Sequence, residues 1–400
     1  MTSSGLSPAP VDAGERLHAL DILRGLALCA MILVHFHQKM RRPTTGLEDL
    51  IGWGVYVLIE QKAWGTFAFL FGVGFAILLR RLDRPGAPVV AIYLRRLIAL
   101  ALFGAVAEIF FGFHILFTYA CWGVVLLLIR GWSSRALLAL AVVVVAAGPV
   151  VDEWMALQAW WTGVPLSRPT TLIALMKAAA AAAHQPDYTT LLAARWALFK
   201  GSHLRWWILL PDVNLALFII GLLALRHGVF DEPLRHARLI VRWMIFGAVA
   251  WAASWTVLRH LPSIGIPDAD WAIQYGFGLI QDQWLCFTYI GAVVLLLAYR
   301  PQWSARLAVF GQAGRMALTN YMLQAAVLDV LSSGYGFGLT LRPLAYAPAT
   351  VLLFGAEVAA SRAWLARFRF GPLEWLWRTI TYAQPQPLRR VVESPAPEGV

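Results

Sequence analysis

Charged residues are scarce in this chain. Asp, Glu, Lys and Arg together make up 14% of its 400 residues, whereas apolar residues make up 60%. So few polar groups cannot cover the surface of the water-soluble domains that a chain of this length would otherwise be expected to form. The composition therefore excludes a soluble multidomain protein and predicts an all-α fold, a polytopic membrane helical bundle.

Cysteine is rare as well, and several motifs of soluble enzymes are missing. The three cysteines, Cys29, Cys121 and Cys286, fall within apolar runs, which argues against a disulfide framework and against metal ligation. The histidines of "HFH" at 35–37 point to different faces of a helix, so we expect no metal site. The sequence has no phosphate-binding loop, dinucleotide-binding glycine motif or Gly-x-Ser-x-Gly element. No cleavage pattern follows the first apolar run, which is predicted to be retained.

Long hydrophobic runs are what the sequence has in abundance. A membrane-spanning helix needs about 20 apolar residues, and ten segments approach this length. They are 19–38, 58–79, 96–113, 115–130, 135–152, 207–226, 240–259, 281–299, 313–332 and 344–362. Arginines concentrate in every second connection, on the side that holds the N-terminus. Because cytoplasmic loops are rich in Lys and Arg, about ten spans with both termini in the cytoplasm are predicted, and the net charge of +11 reflects topology rather than nucleic-acid binding.

These spans are predicted to form one transmembrane domain over 18–382. A cytoplasmic tail at 1–17 precedes the domain, and a Pro-rich tail at 383–400 is predicted to be disordered. Residues 153–206 are the sizeable segment outside the membrane. They begin with tryptophans suited to the interface and continue with the helix-favouring run "LIALMKAAAAAAH". This outer-side segment is interpreted either as a cap over the outer face or as a connector.

The first span carries three ionisable groups in "LDILRGLALCAMILVHF". Arg24 and His35 lie within about 20° of each other around a helix, and Asp21 and His35 within about 40°. The three side chains form one stripe, with about 16 Å along the axis between Arg24 and His35. Ionisable groups inside a membrane are costly unless they line a cavity or find partners. The stripe indicates a lined pathway; the alternative is an Asp21–Arg24 pair at the headgroup level with His35 reaching outward.

The same stretch resembles the first span of the transmembrane acyltransferase superfamily. In that superfamily an Asp-x-x-Arg-Gly motif opens the span, and a histidine that is catalytic in the acyl-CoA-dependent members closes it. Further motifs are similar to those of one branch, the YeiB-like family (domain of unknown function 418). They are "FAFLFGVGFAILLRR" at 67–81, "GRMALTNYMLQ" at 314–324, "YGFGL" at 335–339 and "FGPLEWLWRTITY" at 370–382. Two positions depart from the branch: His35 stands where many members have Asn, and His114 stands where they often have Asp.

Polar residues in other spans are further candidates. Glu108 is a mid-span carboxylate, functional by default, or else a member of a buried pair with an Arg or Asn of another span. Lys62 either lines the cavity or binds an anion there, or extends to the outer interface. Asp212 follows Pro211, which frees backbone carbonyls in a span and is found where spans line sites; an ordinary kinked entrance is the alternative.

Two of the motifs contain polar pairs at helical spacing. Asn320 and Gln324 are i,i+4 and either contact a ligand or join neighbouring helices. Glu374 and Arg378 are also i,i+4, in a segment predicted to be an interfacial helix on the cytoplasmic face. The glycines of "FGVGF" at 71–75 indicate close helix packing rather than phosphate binding.

We therefore expect a membrane-embedded acyltransferase, with a transporter or permease for a small solute as the alternative and a non-catalytic scaffold as a less favoured one. Acyl-CoA would be the donor, without a metal, and an envelope or lipid-linked molecule would be the acceptor. The candidate catalytic residues are His35, as general base or acyl carrier, Asp21 and Glu108. The residues expected to bind the phosphates of the donor are Arg24, Arg315 and Arg378. The residues expected to bind substrate are Lys62, His114, Asp212, Asn320 and Gln324.

The expected location is the bacterial inner membrane. Membrane lipids and a small or lipid-linked acceptor are the expected partners, nucleic acid is not, and a homodimer is one assembly that the sequence allows.

Overall fold

The computed structural model describes residues 18–82, 88–113, 115–163, 167–203, 213–260 and 267–390. This part of the chain contains helices and two isolated β-bridges, and no strand, so the all-α prediction is confirmed. The helices are α1 (His18–Met40), α2 (Leu47–Val55), a π-helical turn (Tyr56–Glu60), α3 (Gln61–Arg81), α4 (Val89–Phe111), α5 (Ile115–Leu128), α6 (Ser134–Thr162), α7 (Ser167–Ala183), α8 (Tyr188–His203), α9 (Val213–Arg226), α10 (Ala237–His260), α11 (Pro267–Tyr299), α12 (Gln302–Arg315), α13 (Ala317–Ser332), α14 (Pro343–Arg367) and α15 (Pro372–Tyr382).

Five helical segments are long and apolar enough to cross a membrane, and each overlaps a predicted span. They are His18–Met40, Leu47–Arg81, Val89–Phe111, Ala237–Val257 and Pro343–Arg367. Shorter apolar helices, including α5, α9 and the second half of α11, lie in other predicted spans. The chain is thus a helical membrane protein, and the total of ten spans and the orientation of the termini stay predictions.

The predicted span 313–332 is divided in the structure. α12 ends at Arg315 and α13 begins at Ala317. Between them, Met316 leaves the helical region with φ −113° and ψ 34°. The break turns the chain and lets α12 pack along α1 while α13 starts a separate helix. A hydropathy pattern does not detect such a break, because the apolar residues continue through it.

The connection between α4 and α5 is made by a glycine cap. Gly112 has a left-handed backbone (φ 72°), and its N–H donates to the carbonyl of Glu108 while the N–H of Phe113 donates to that of Ala107. Glycine adopts this conformation without steric cost and commonly ends helices in this way. The predicted spans 96–113 and 115–130 therefore form a hairpin.

Two glycines let α1 and α12 pack backbone to backbone. A Cβ placed on Gly25 would collide with the carbonyl of Phe310, and a Cβ on Gly314 would collide with the carbonyl of Asp21. Gly25 belongs to the Asp-x-x-Arg-Gly motif and Gly314 to "GRMALTNYMLQ". The two motifs are therefore in direct contact, although almost 300 residues separate them in the sequence.

The close packing predicted for "FGVGF" occurs at one of its two glycines. Gly72 lies against the carbonyl of Phe218 in α9, and Gly221 of α9 lies against the carbonyl of Phe69. Helices with glycine at the crossing approach more closely than side chains would allow. A Cβ on Gly74, in contrast, would meet no atom within 4 Å.

The outer-side segment docks on the bundle through a buried ion cluster. The guanidinium of Arg195 in α8 donates to both carboxylate oxygens of Asp329 and, at 2.6 Å, to the carbonyl of Phe110. Lys39 Nζ donates to the carbonyl of Phe111 at 2.8 Å and lies 3.4 Å from Asp329 Oδ1. The two cations thereby cap the last carbonyls of α4 and share one carboxylate.

Two hydroxyl groups complete the coordination of Asp329. Ser333 donates to Oδ1 at 3.1 Å and Tyr335 donates to Oδ2 at 3.0 Å. Burial and the charge of Asp329 raise the pKa of Tyr335 to about 12, so the phenol keeps its proton and acts as a donor. We call Lys39, Arg195, Asp329, Ser333 and Tyr335 the Asp329 cluster.

Part of the predicted disordered tail is packed on the protein, which corrects the prediction for residues up to 390. Phe368 and Arg389 form an antiparallel bridge. The indole N–H of Trp375 donates to the carbonyl of Gln386 at 2.7 Å, and Gln386 is buried. Composition suggested disorder because Pro is frequent here, but one bridge and one indole hydrogen bond hold the segment. Residues 391–400 lie outside the described residues.

Candidate functional site

A cavity of about 320 Å³ lies between α1, α3, α4, α5, α12, α13 and α15. Along α3 its lining runs from Trp64 to Arg81, which corresponds to about 25 Å of helix. Along α1 it runs from Leu20 to Met31, about 16 Å. The cavity is therefore long and narrow, and it follows the face of α1 that carries the predicted stripe.

One end of the cavity is strongly cationic. Six arginines and two carboxylates, Asp21 and Glu374, are among its lining residues. The arginines, which we call the arginine mouth, are Arg24, Arg81, Arg96, Arg315, Arg369 and Arg378. With six positive and two negative groups, this end carries an excess of four positive charges. Guanidinium groups bind phosphate and carboxylate in bidentate fashion, so the mouth is suited to a multiply charged anion.

The α1–α12 contact brings together the backbone segments that carry two of these arginines. Arg24 bonds Asp21 one helical turn away, with NH1 2.8 Å from Oδ1, and its side chain keeps 30% of its surface exposed. Arg315 follows Gly314, whose backbone lies on that of Asp21. The Asp21–Arg24 pair expected in the headgroup interpretation does form, and it forms at the wall of the cavity.

α15 is joined to α13 by reciprocal capping. Glu374 accepts hydrogen bonds from the N–H groups of Leu318 (2.7 Å) and Thr319 (3.0 Å) at the start of α13. The hydroxyl of Thr319 donates to Glu374 and accepts from the N–H of Leu373 at the start of α15. Helix N-termini leave N–H groups without intrahelical partners, and a carboxylate there is stabilising. The motifs "GRMALTNYMLQ" and "FGPLEWLWRTITY" thus supply hydrogen-bond acceptors for each other's N-terminal N–H groups.

Burial shifts the pKa of Glu374. It raises the pKa of this carboxyl group, while the hydrogen bonds from Thr319 and Leu318 act in the opposite direction.

The same helix, α15, is held on α4 by Trp377. Its indole N–H donates to the carbonyl of Arg96 at 2.9 Å, and its ring lies 3.8 Å from the Arg96 guanidinium. α15 is therefore fixed across the mouth by contacts at both its start and its middle.

The remote end of the cavity is apolar and aromatic. Its lining includes Met31, Trp64, Ile115, Tyr119 and Tyr321. The hydroxyl of Tyr119 donates to the carbonyl of Trp64 at 2.9 Å, which fixes the wall between α3 and α5. A ligand that fills the cavity would therefore have an anionic part at the mouth and an uncharged part at this end.

His35 lies one helical turn beyond Met31, the last residue of α1 that lines the cavity. It is 3% exposed, and its ring meets that of Phe113 edge-on, with 4.2 Å between centroids. Asp21 and Arg24 of the predicted stripe thus reach the cavity directly. His35 continues the same face of the helix but is separated from the cavity by the next turn.

Glu108 forms a buried pair with a histidine of the outer-side segment. Its Oε2 lies 2.8 Å from Nε2 of His203, and both side chains are less than a tenth exposed. The imidazole packs against the rings of Phe117 and Phe199, with 4.9 and 5.1 Å between ring centroids. Glu108 therefore belongs to a buried pair, as the alternative predicts, but the partner is a histidine and not the expected Arg or Asn.

The chain matches two family models, one over each half. Residues 224–384 match "Protein of unknown function (DUF418)", and residues 16–193 match "Heparan-alpha-glucosaminide N-acetyltransferase, catalytic". A 131-residue stretch is 34% identical to "Uncharacterized protein YeiB" of Escherichia coli (strain K12), covering 31% of this chain and 34% of that protein. The chain is a YeiB-like protein of the DUF418 family.

Similarity also extends along the whole length of two relatives of the YeiB-like protein. "Uncharacterized protein YxaH" of Bacillus subtilis (strain 168) is 27% identical, over 95% of this chain and 98% of the relative. "Uncharacterized 39.9 kDa protein in amylase 3'region" of Bacillus acidopullulyticus is 25% identical, over 95% and 97%. The match to the acetyltransferase model contains the Asp-x-x-Arg-Gly motif and α3, and thus much of the cavity wall.

The YeiB-like protein brings only some of its predicted site residues together. Asp21, Arg24, Arg315 and Arg378 line the cavity. The predicted site residues did not include Arg81, Arg96 and Arg369 of the arginine mouth, or His203 beside Glu108. The first of these ends the motif at 67–81, which was the available signal; the others depend on which helix ends meet.

The remaining predicted residues of the YeiB-like protein lie elsewhere. Asn320 donates to Ser361 at 3.1 Å and Gln324 donates to Glu357 at 2.9 Å. These amides join α13 to α14, as the helix-joining alternative predicts. Lys62 is 1% exposed, so it does not extend to the interface.

His114 and Asp212, both predicted to bind substrate, lie outside the described residues of the YeiB-like protein. Within the described residues no group of three or more His, Cys, Asp or Glu could hold a metal ion. The three cysteines are all free thiols.

Proposed function

We propose that this YeiB-like protein is a membrane-embedded acyltransferase that takes an acyl group from cytosolic acyl-CoA. The observation that carries the proposal is the arginine mouth, because six guanidinium groups at one end of a long cavity suit the several phosphates of coenzyme A. The match to an acetyltransferase catalytic model over 16–193 supports the same class of reaction.

The cavity offers a path for the rest of the donor. The arm that joins the nucleotide to the thioester would follow α1 from Arg24 toward Met31, and the acyl group would approach His35. In this proposal His35 either removes the proton from an acceptor hydroxyl or amine, or carries the acyl group transiently. In both cases the thioester C–S bond breaks and coenzyme A leaves as the thiol. Asp21 orients Arg24, and Glu108 with His203 supplies a further proton-binding pair.

The acceptor is proposed to be an envelope or lipid-linked molecule that arrives on the outer side. This assignment requires both termini in the cytoplasm of a bacterial inner membrane, with the arginine mouth on the cytoplasmic side. Impermeant labelling of single cysteines introduced in the α9–α10 connection and near Arg42 tests this orientation.

The central test measures acyl-CoA hydrolysis or transfer by the purified protein. His35→Ala is expected to abolish turnover while acyl-CoA still binds, because the arginine mouth is intact. His37→Ala is the matched control, since His37 is buried on a different face, beside Tyr346. Full activity in His35→Ala would remove His35 from the mechanism, and absence of acyl-CoA binding in the wild type would remove the proposed donor.

Transport of a small anionic solute is the second candidate. It is favoured by buried ionisable groups away from the cavity, Lys62 and the Glu108–His203 pair, because such groups in membrane helices often form proton pathways. Uptake of an anion into proteoliposomes without coenzyme A, abolished by Glu108→Gln, would support transport and contradict acyl transfer.

A further inference from the structure

The residues that α3 contributes to the cavity have large side chains, with a single exception. Nine residues of α3 line it, and eight of them have large side chains. The ninth is Gly74, which lies about 10 Å along the helix axis from Arg81 and about 15 Å from Trp64. The cavity wall is therefore interrupted by a position without a side chain between its cationic and its aromatic end.

Helix packing does not explain this glycine. Gly72, two residues earlier, is required by the backbone of α9, and Gly314 on the opposite wall is required by the backbone of α1. A Cβ on Gly74 would meet no atom within 4 Å. Glycine in a helix interior is less stable than alanine, so Gly74 costs stability and gains no contact in return.

We infer that Gly74 sets the width of the cavity at mid-length and so determines which ligands reach the aromatic end. This inference deepens the proposed function and rests on it for the identity of the ligand. The ligand is an elongated molecule whose uncharged arm crosses α3 at Gly74, as the pantetheine arm of an acyl-CoA would with its phosphates held at the arginine mouth. A side chain at this position would occupy the space of the arm without reaching the phosphates.

Gly74→Leu tests the inference through binding. Adenosine 3′,5′-bisphosphate, which has the phosphorylated nucleotide but no arm, is the first probe, and acetyl-CoA is the second. We expect Gly74→Leu to bind the nucleotide like the wild type and acetyl-CoA about tenfold or more weakly, the range that overpacking produces. Gly355→Leu is the matched control: it is exposed on α14, its Cβ would also meet nothing within 4 Å, and it should bind both probes normally.

A second experiment works without knowledge of the ligand. In a background without Cys29, Cys121 and Cys286, a cysteine is introduced at Gly74 or at Gly355. A small water-soluble thiol reagent should modify Gly74→Cys through the mouth, and a reagent too wide for the cavity should not. Gly355→Cys should stay unmodified in a bilayer, because hydrocarbon does not support the thiolate.

These outcomes distinguish the role of Gly74 from the identity of the proposed donor. Unchanged acetyl-CoA affinity in Gly74→Leu, weakened nucleotide binding in that variant, or an unreactive Gly74→Cys would each overturn the role of Gly74. If the wild type binds neither probe while Gly74→Cys is modified, the proposed donor is wrong and the width-setting role stands.

Discussion

The arginine mouth and the Asp329 cluster use the same residue types for different purposes. In the Asp329 cluster two cations share one carboxylate and two carbonyls of α4, and two hydroxyls complete the carboxylate. At the mouth six arginines face two carboxylates across a cavity. The first arrangement has an excess of one positive charge, satisfies its cations with the carboxylate and backbone carbonyls, and joins helices. The second has an excess of positive charge beside a space that a ligand can enter. Charge balance at a site, rather than the presence of charge, distinguishes a joint from a binding site here.

The largest effect on stability is expected from removing the shared carboxylate of the Asp329 cluster. Asp329→Asn leaves the buried Arg195 and the partly buried Lys39 without their carboxylate. It should lower the free energy of unfolding by about 3–5 kcal/mol. Thermal denaturation in detergent measures the loss. Asp231→Asn is the control, because its partner Arg80 is exposed and such pairs contribute at most about 1 kcal/mol. Equal losses in both variants would contradict the distinction.

Removing a charge from the mouth should affect binding rather than stability. Arg24→Gln is expected to weaken acetyl-CoA binding by about 10- to 100-fold, since a charged hydrogen bond contributes about 1.5–3 kcal/mol. Isothermal titration calorimetry measures the affinity, and the melting temperature should stay nearly constant. Arg238→Gln, at an exposed position of α10, is the control. A fall in stability without a fall in affinity would place Arg24 with the structural ion pairs.

The reciprocal capping of α13 and α15 should give an intermediate effect on stability. Glu374→Ala leaves two N–H groups of α13 without their acceptor and is expected to cost about 1–2 kcal/mol. It should also reduce acetyl-CoA affinity, because α15 carries Arg378. Glu232→Ala, which removes an exposed i,i+3 pair with Arg235, should change neither property, and an identical response in both variants would refute the capping role.

The smallest expected effect is a pH dependence. The folded-state pKa of Glu374 is raised above its ordinary value of 4.5, so the folded state binds the proton more tightly than the unfolded state. The resulting stabilisation is complete below about pH 4.5 and declines as pH rises through the folded-state pKa. The stability of the wild type relative to Glu374→Gln should therefore fall as the pH rises above about 4.5. A difference that grows with pH would mean that the three hydrogen bonds outweigh burial.

Local periodicity predicted the parts of the site that lie on single helices. Asp21 and Arg24 were placed on one face of α1 by helical geometry alone, and both line the cavity. Arg81 was visible at the end of its motif but not as a neighbour of Arg24. That relation depends on the crossing of α1 and α3, which no spacing in the sequence encodes.

A polar stripe on a helix does not indicate which of two neighbouring elements its polar face meets. Asn320 and Gln324 share a face of α13, but the pattern does not say whether that face meets the cavity or α14. In the structure it meets α14 through Ser361 and Glu357. His203 was missed for a related reason: its partner Glu108 belongs to another helix, and the docking of α8 brings them together.

The contact between α1 and α12 has a mechanical consequence. Because Gly25 and Gly314 leave no gap between the two backbones, a side chain at either position would push the two helices apart. The two glycines therefore set the spacing of the backbone segments that carry Arg24 and Arg315. α15, in contrast, is held across the entrance by hydrogen bonds at its start and by the contacts of Trp377 in its middle. Movement of this short helix away from α4 would widen the entrance of the cavity. Arg24 and Arg315 would meanwhile keep their places on the closely packed pair α1 and α12.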